Sequence, residues 1–96
     1  MGQPVQIDHD GRTAIVTGGS RGIGRAVARE LVAAGARVLI TGRRQPALEA
    51  TAAELGPACL WRVCHAAAAA DAERCVGYAM DAFGRIDYLV NNAGTN

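Results

Sequence analysis

The run Thr17-Gly18-Gly19-Ser20-Arg21-Gly22-Ile23-Gly24 lies between a short apolar segment, Thr13-Ala14-Ile15-Val16, and a stretch whose apolar residues recur at helical spacing. Few folds turn a buried strand directly into an amphipathic helix through spaced glycines. Gly18 lets the backbone turn sharply off the strand. Gly22, lacking a Cβ, lets phosphates approach the backbone, and Gly24 lets the helix pack close to the strand. The N-terminus of such a helix offers N–H donors and the positive end of its dipole, which suits a pyrophosphate. The spacing is G-x-x-x-G-x-G. A phosphate loop of the G-K-[ST] type is excluded, because the chain contains no Lys. The plain alternative is an ordinary strand-to-helix turn.

Beyond the turn the pattern alternates. Ile23, Val27, Leu31 and Ala34 mark one apolar helix face, and Gly35 stands where a left-handed cap is wanted. A second buried strand is expected over Arg37 to Thr41. A second helix follows, with Pro46 in its first turn, Leu48, Ala52 and Leu55 as its stripe, and Gly56-Pro57 as its stop. Cys59 to Cys64 reads as a third strand. Asp71 is placed to cap a third helix whose core face is Val76, Met80 and Phe83 and which ends at Gly84. Ile86 to Asn91 reads as a fourth strand. This alternation predicts an α/β fold: a Rossmann-type parallel sheet in strand order 3-2-1-4 with helices on both faces. Residues 1–10 are expected to form a lead-in, and 11–96 a dinucleotide-binding domain.

The end of the second strand bears on the cofactor. NAD-binding domains place an Asp or Glu about 20 residues past the glycines, where it binds the ribose 2′-OH. Here Arg43 lies 19 residues after Gly24, and Thr41-Gly42-Arg43-Arg44 holds no acid. A guanidinium grips a 2′-phosphate that a carboxylate would repel. Arg21 is within reach of the same group. The expected cofactor is therefore NADP(H) in preference to NAD(H). The alternative leaves Arg43 and Arg44 as solvated surface charges.

Composition closes off other classes. The formal net charge is +1 with no basic run, which argues against nucleic acid or a membrane surface as partner. No apolar run is long enough to span a bilayer, and residues 1–10 do not read as a signal peptide, so the cytoplasm is the default location. Cys59, Cys64 and Cys75 are odd in number and lack C-x-x-C spacing, which suits small buried thiols better than a disulfide framework or a zinc site.

Two motifs at this separation resemble the short-chain dehydrogenase/reductase family: Thr17 to Gly24, similar to T-G-x-x-x-G-I-G, and Asn91-Asn92-Ala93-Gly94, similar to N-N-A-G. Phe83-Gly84-Arg85-Ile86-Asp87 is also typical. The resemblance runs from about Gly11 to Asn96. It implies that Gly18, Ser20, Arg21, Gly22, Ile23 and Gly24 line the cofactor, that Asn92 and Ala93 pass beside the adenosine ribose largely through backbone, with Gly94 also at the cofactor, and that Asn91 and Asn92 help hold the sheet together. Asn91 and Asn92 read alone are also good turn residues. Where the family has an Asp near the adenine, this chain has Cys64-His65-Ala66, so His65 and the Ala66 backbone take that place. A solvent-facing His65 is the alternative.

The family's proton-transfer group is a Tyr with a Lys four positions later, plus a Ser. Tyr78 is followed at that spacing by Ala82 and Tyr88 by Asn92, and the one Ser, Ser20, lies in the glycine turn. No catalytic residue is assigned. The resemblance implies that 11–96 is an incomplete domain, the N-terminal cofactor-binding part of a longer, oligomeric oxidoreductase that moves a hydride between the cofactor and a small carbonyl or alcohol substrate. Its look is nearest to 3-oxoacyl-carrier-protein reductases. Such a piece would leave the fourth strand as an apolar edge prone to associate. Two other readings stay open: a non-catalytic nucleotide-binding or interaction module, and an inactive truncation product.

Overall fold

A computed structural model describes residues 9–65 and 69–92. Seven elements follow in order: β1 (Thr13–Thr17), α1 (Gly22–Ala33), β2 (Arg37–Gly42), α2 (Gln45–Leu55), β3 (Cys59–Val63), α3 (Ala69–Phe83) and β4 (Tyr88–Asn91). The strands form one parallel sheet in the order β3-β2-β1-β4, as the alternation predicts. The register sets Thr17 opposite both Thr41 and Asn91, so β1, β2 and β4 end level with one another.

Alternation along the strands divides the core in two. Ala14, Val16, Val38 and Ile40 face α1 and α2 and join Ala28, Leu48, Ala52 and Cys59. Ile15 and Leu39 point the other way, where α3 covers them with Ala79, Tyr78 and Phe83. Strands buried on both faces read as continuous apolar runs, which is why β1 and β2 stand out in the sequence. α3 lies over β1 and β2, so Leu89 on β4 is left 63 % exposed.

Three expectations are corrected. The face of α3 toward the sheet is Cys75 and Ala79; Val76 and Met80 are exposed, and Phe83 alone of the expected trio packs on the core. Small side chains let the helix lie close to the sheet, and the larger apolar ones are turned outward. Ile23 is 74 % exposed, because Gly24 is the residue of that turn that faces the Gly18 carbonyl, and Ala34 lies past the helix; Gly24 and Ala28 are the buried positions. Asp71 is not a cap. It is the third residue of α3, and its carboxylate accepts the His65 N–H at 2.9 Å and pairs with Arg74.

The three cysteines are buried and free. Burial pushes the Cys59 thiol up to about 11. Burial, followed by the neighbouring Cys64 thiol, pushes Cys75 up to about 12. Neither is a nucleophile at neutral pH. Among the described residues, no helix is long and apolar enough to cross a membrane, and no cluster of three or more His, Cys, Asp or Glu could hold a metal ion.

Asp87 fastens the start of β4 to the start of β1. Its Oδ2 accepts the Thr13 N–H at 2.9 Å, and its own N–H donates to the Thr13 carbonyl at 2.9 Å. Arg85 binds its other oxygen, with Arg12 at 3.6 Å. The Arg85 hydrogen bond first, and then the Thr13 N–H, hold its carboxyl below the ordinary range. Ionised Asp87 therefore stabilises the fold above the unfolded carboxylate pKa, and that contribution fades as pH falls through its depressed folded value. Asp87→Asn should lower the thermal midpoint at pH 7. Repeating the melts at descending pH should show the gap to wild type closing below the ordinary carboxylate range.

Candidate functional site

The glycine turn emerges at the carboxyl end of the sheet, where β1 has β2 on one side and β4 on the other. In open α/β sheets this change of direction is where a ligand crevice forms. Gly18 leaves β1 with φ +67°, and Gly22 opens α1 with φ +60°. The carbonyl of Thr41, at the end of β2, accepts the N–H groups of Gly18 at 2.8 Å and Gly19 at 3.2 Å. The turn is thus sewn to the neighbouring strand by backbone alone.

The glycines differ in what surrounds them. A Cβ on Gly24 would stand 2.2 Å from the Gly18 carbonyl oxygen and 2.7 Å from Asn92 Nδ2. One on Gly19 would stand 2.6 Å from Ile40 Cγ2. Around Gly22 nothing lies within 4 Å of that position. Gly24 and Gly19 are closed against protein, whereas Gly22 is open to solvent. No side chain caps Arg21 at the start of α1, and the Arg21 carbonyl accepts the Arg25 N–H at 3.3 Å. The helix N-terminus therefore presents its leading N–H groups beside an open backbone, an arrangement that accepts an anion.

Asn92 closes the other side. Its N–H donates to Thr17 Oγ1 at 2.8 Å, and its Nδ2 approaches the Gly18 carbonyl at 3.5 Å. The Thr17 hydroxyl donates to Asn91 Oδ1 at 3.1 Å. The asparagines thus lock β4 to the glycine turn. Sequence reading gave Asn92 mainly a backbone role; its side chain also faces the turn.

Ser20 is half-buried, and Arg21 and Ile23 are exposed at the turn. Arg43 and Arg44 are exposed in the corner between β2 and α2. His65 follows β3 with an exposed ring, its N–H taken by Asp71. Ala66, Ala93 and Gly94 lie outside the described residues. Three contributors were not singled out in the sequence: Gly19, Thr41 through its carbonyl, and Gly42. A Cβ on Gly42 would sit 3.7 Å from Ser20 Oγ and 3.4 Å from Leu48 Cδ2. Nothing in residue type distinguishes Gly19 from the variable positions of the turn. Its constraint comes from Ile40, which is distant in sequence.

A model of the family described as short chain dehydrogenase matches residues 12–96. A sorbitol dehydrogenase of Cereibacter sphaeroides is 49 % identical over 84 residues, covering 88 % of this chain and 33 % of its own length. The sex determination protein tasselseed-2 of Zea mays is 44 % identical over 86 residues, 88 % of this chain and 26 % of its own length. Among solved structures, a 3-ketoacyl-(acyl-carrier-protein) reductase from Brucella melitensis complexed with NADH superposes with a TM-score of 0.88 at 36 % identity, covering 91 % of this chain and 36 % of that one. The chain spans about a third or less of the length of these two relatives.

The contrast between closed and open glycines is measurable. Gly24→Ala should cost about 1–3 kcal/mol or more in urea unfolding, because backbone at the Gly18 carbonyl must shift. Gly22→Ala should cost only about 1 kcal/mol, the strain of a positive φ with no clash.

Proposed function

The chain belongs to the short-chain dehydrogenase family, and on that premise we propose that it binds a nicotinamide dinucleotide at the glycine turn, NADP(H) in preference to NAD(H). It does so as the cofactor-holding part of an oxidoreductase that interconverts a carbonyl and an alcohol. When bound, the nicotinamide donates or accepts the hydride. The residues of this chain hold and orient it.

The observation that carries the choice of cofactor is where the unpartnered arginines lie. Arg12 and Arg85 pair with Asp87, Arg25 and Arg29 with Glu54, and Arg74 with Asp71. Arg37 binds the Phe83 carbonyl and lies over its ring, and Arg62 lies 3.6 Å from the centre of the Tyr78 ring. Arg21, Arg43 and Arg44 have no such partner among the described residues, and all three flank the glycine turn or the β2–α2 corner. The nearest downstream acid, Glu49, accepts a hydrogen bond from Gln45. A positive cluster without counter-charge beside a helix N-terminus favours a further phosphate on the ribose.

The open backbone at Gly22 and the uncapped start of α1 fit a pyrophosphate. Gly18, Ser20, Arg21, Gly22, Ile23 and Gly24 are assigned to line the cofactor, with Arg21 and Arg43 at the 2′-phosphate. Asn92 stands on the β4 side of the turn, and Asn92, Ala93 and Gly94 are assigned to the cofactor beside the adenosine ribose. His65 and the Ala66 backbone are assigned to the adenine side. The NADH in the solved neighbour supports a nicotinamide dinucleotide, and the phosphate preference rests on the arginines. Relatives named as a dehydrogenase and a reductase support hydride exchange. Tyr78 lies under Arg62, and the Tyr88 hydroxyl meets His9 Nδ1 at 3.0 Å, so neither tyrosine is assigned to proton transfer.

Titration of cofactor fluorescence tests the assignment. Arg43→Asp should weaken NADPH binding by about ten- to a hundredfold, the loss of a charge-assisted contact of about 1.5–3 kcal/mol. NADH binding should stay within about threefold. An unchanged NADPH affinity returns Arg43 to the role of a solvated surface charge.

A further inference from the structure

Thr51 lies in the middle of α2 and is 3 % exposed, among alanines that need no polar partner. Its hydroxyl donates to the carbonyl oxygen of Ser20 at 3.3 Å, across 31 residues of sequence. A hydroxyl within a helix commonly returns to its own backbone. This one reaches out of α2 to the residue before Arg21, inside the glycine turn.

The bond links the two places where the unpartnered arginines stand. Arg43 and Arg44 lead directly into α2, and Arg44 is the residue on which α2 starts. Arg21 follows Ser20 and is the residue on which α1 starts. Two further contacts hold the same seam. Leu48, fully buried on α2, packs against the Gly42 backbone, and Glu54, one turn beyond Thr51, bridges Arg25 and Arg29 of α1. The Glu54 bridge is on the surface and is weakened by solvent and salt. The Thr51 hydrogen bond is part-buried and directional, and it ties Ser20, beside Arg21, to α2.

We infer that Thr51 is a positioning residue that sets the spacing between Arg21 and Arg43 and so contributes to selectivity for a cofactor carrying a 2′-phosphate. The inference rests on the NADP(H) reading above. The Thr51 hydroxyl meets the turn at Ser20, one residue before the start of α1. Removing its donor acts first on Ser20 and Arg21, while Gly18 and Gly19 remain bound to the Thr41 carbonyl.

The test titrates the full chain with NADPH and with NADH, in wild type, Thr51→Val and Thr51→Ser, with a thermal melt of each. Thr51→Val keeps the volume and deletes the donor; Thr51→Ser keeps the donor and deletes a methyl. Thr51→Val should weaken NADPH by about fivefold to tenfold, the size of one lost hydrogen bond, with NADH changed less than twofold. Thr51→Ser should keep the wild-type preference. Equal loss for both cofactors in Thr51→Val, or loss of preference in Thr51→Ser, overturns the inference. If Thr51→Val does not fold, Thr51→Ala, which also deletes the donor, is judged by the same criterion. A wild-type chain that binds both cofactors equally overturns the NADP(H) reading and this inference together. A wild-type preference that survives in Thr51→Val overturns the inference alone.

Discussion

The arrangement at the strand ends depends on how closely α1 approaches the carbonyl of Gly18. That approach is possible because Gly24 has no Cβ; any side chain there would overlap backbone. Once α1 is seated, its N-terminus points over the end of β1, and the Thr41 carbonyl holds the intervening turn. Asn92 then meets the same Gly18 carbonyl from the β4 side. One carbonyl group is thus the meeting point of a helix, a turn and a neighbouring strand. The open backbone at Gly22 lies at the N-terminus of α1, beside that junction.

Strand order and glycine placement were legible in the sequence because each rests on a local constraint. A strand buried on both faces must be apolar throughout, and a turn with a left-handed residue favours glycine. Helix faces were harder to read. In α3 the pattern offered Val76 and Met80 by size, whereas the sheet is met by Cys75 and Ala79. The positions that meet the sheet hold small side chains, so ranking the helix face by side-chain size points to the wrong side. Ile23 misleads in another way: it has the spacing of a core residue but is exposed in the first turn of α1.

Within the site, the arginines were identified by type and distance from the glycines, but their meaning needed the other seven. Only the full set of ion pairs, together with the Arg37 and Arg62 contacts, separates Arg21, Arg43 and Arg44 from arginines already committed to structure. Thr51 left no trace in the sequence. Its role exists because α2 and the glycine turn are neighbours in space, and no local pattern reports that.

The bonds at the two ends of β4 also carry a message about assembly. Asp87 joins Thr13 across 74 residues, and Asn92 joins Thr17 across 75. The β1–β2 pairing spans a far shorter loop, so its closure is favoured first, and β4 must find β1 at a greater cost in chain entropy. The Gly18 junction is complete only when β4 has docked, because Asn92 reaches it from that strand. The turn's bonds to Thr41 need only β1 and β2. A chain with β4 undocked would therefore hold the glycine turn without its far side, which makes the shape of this crevice a record of whether that strand is in place.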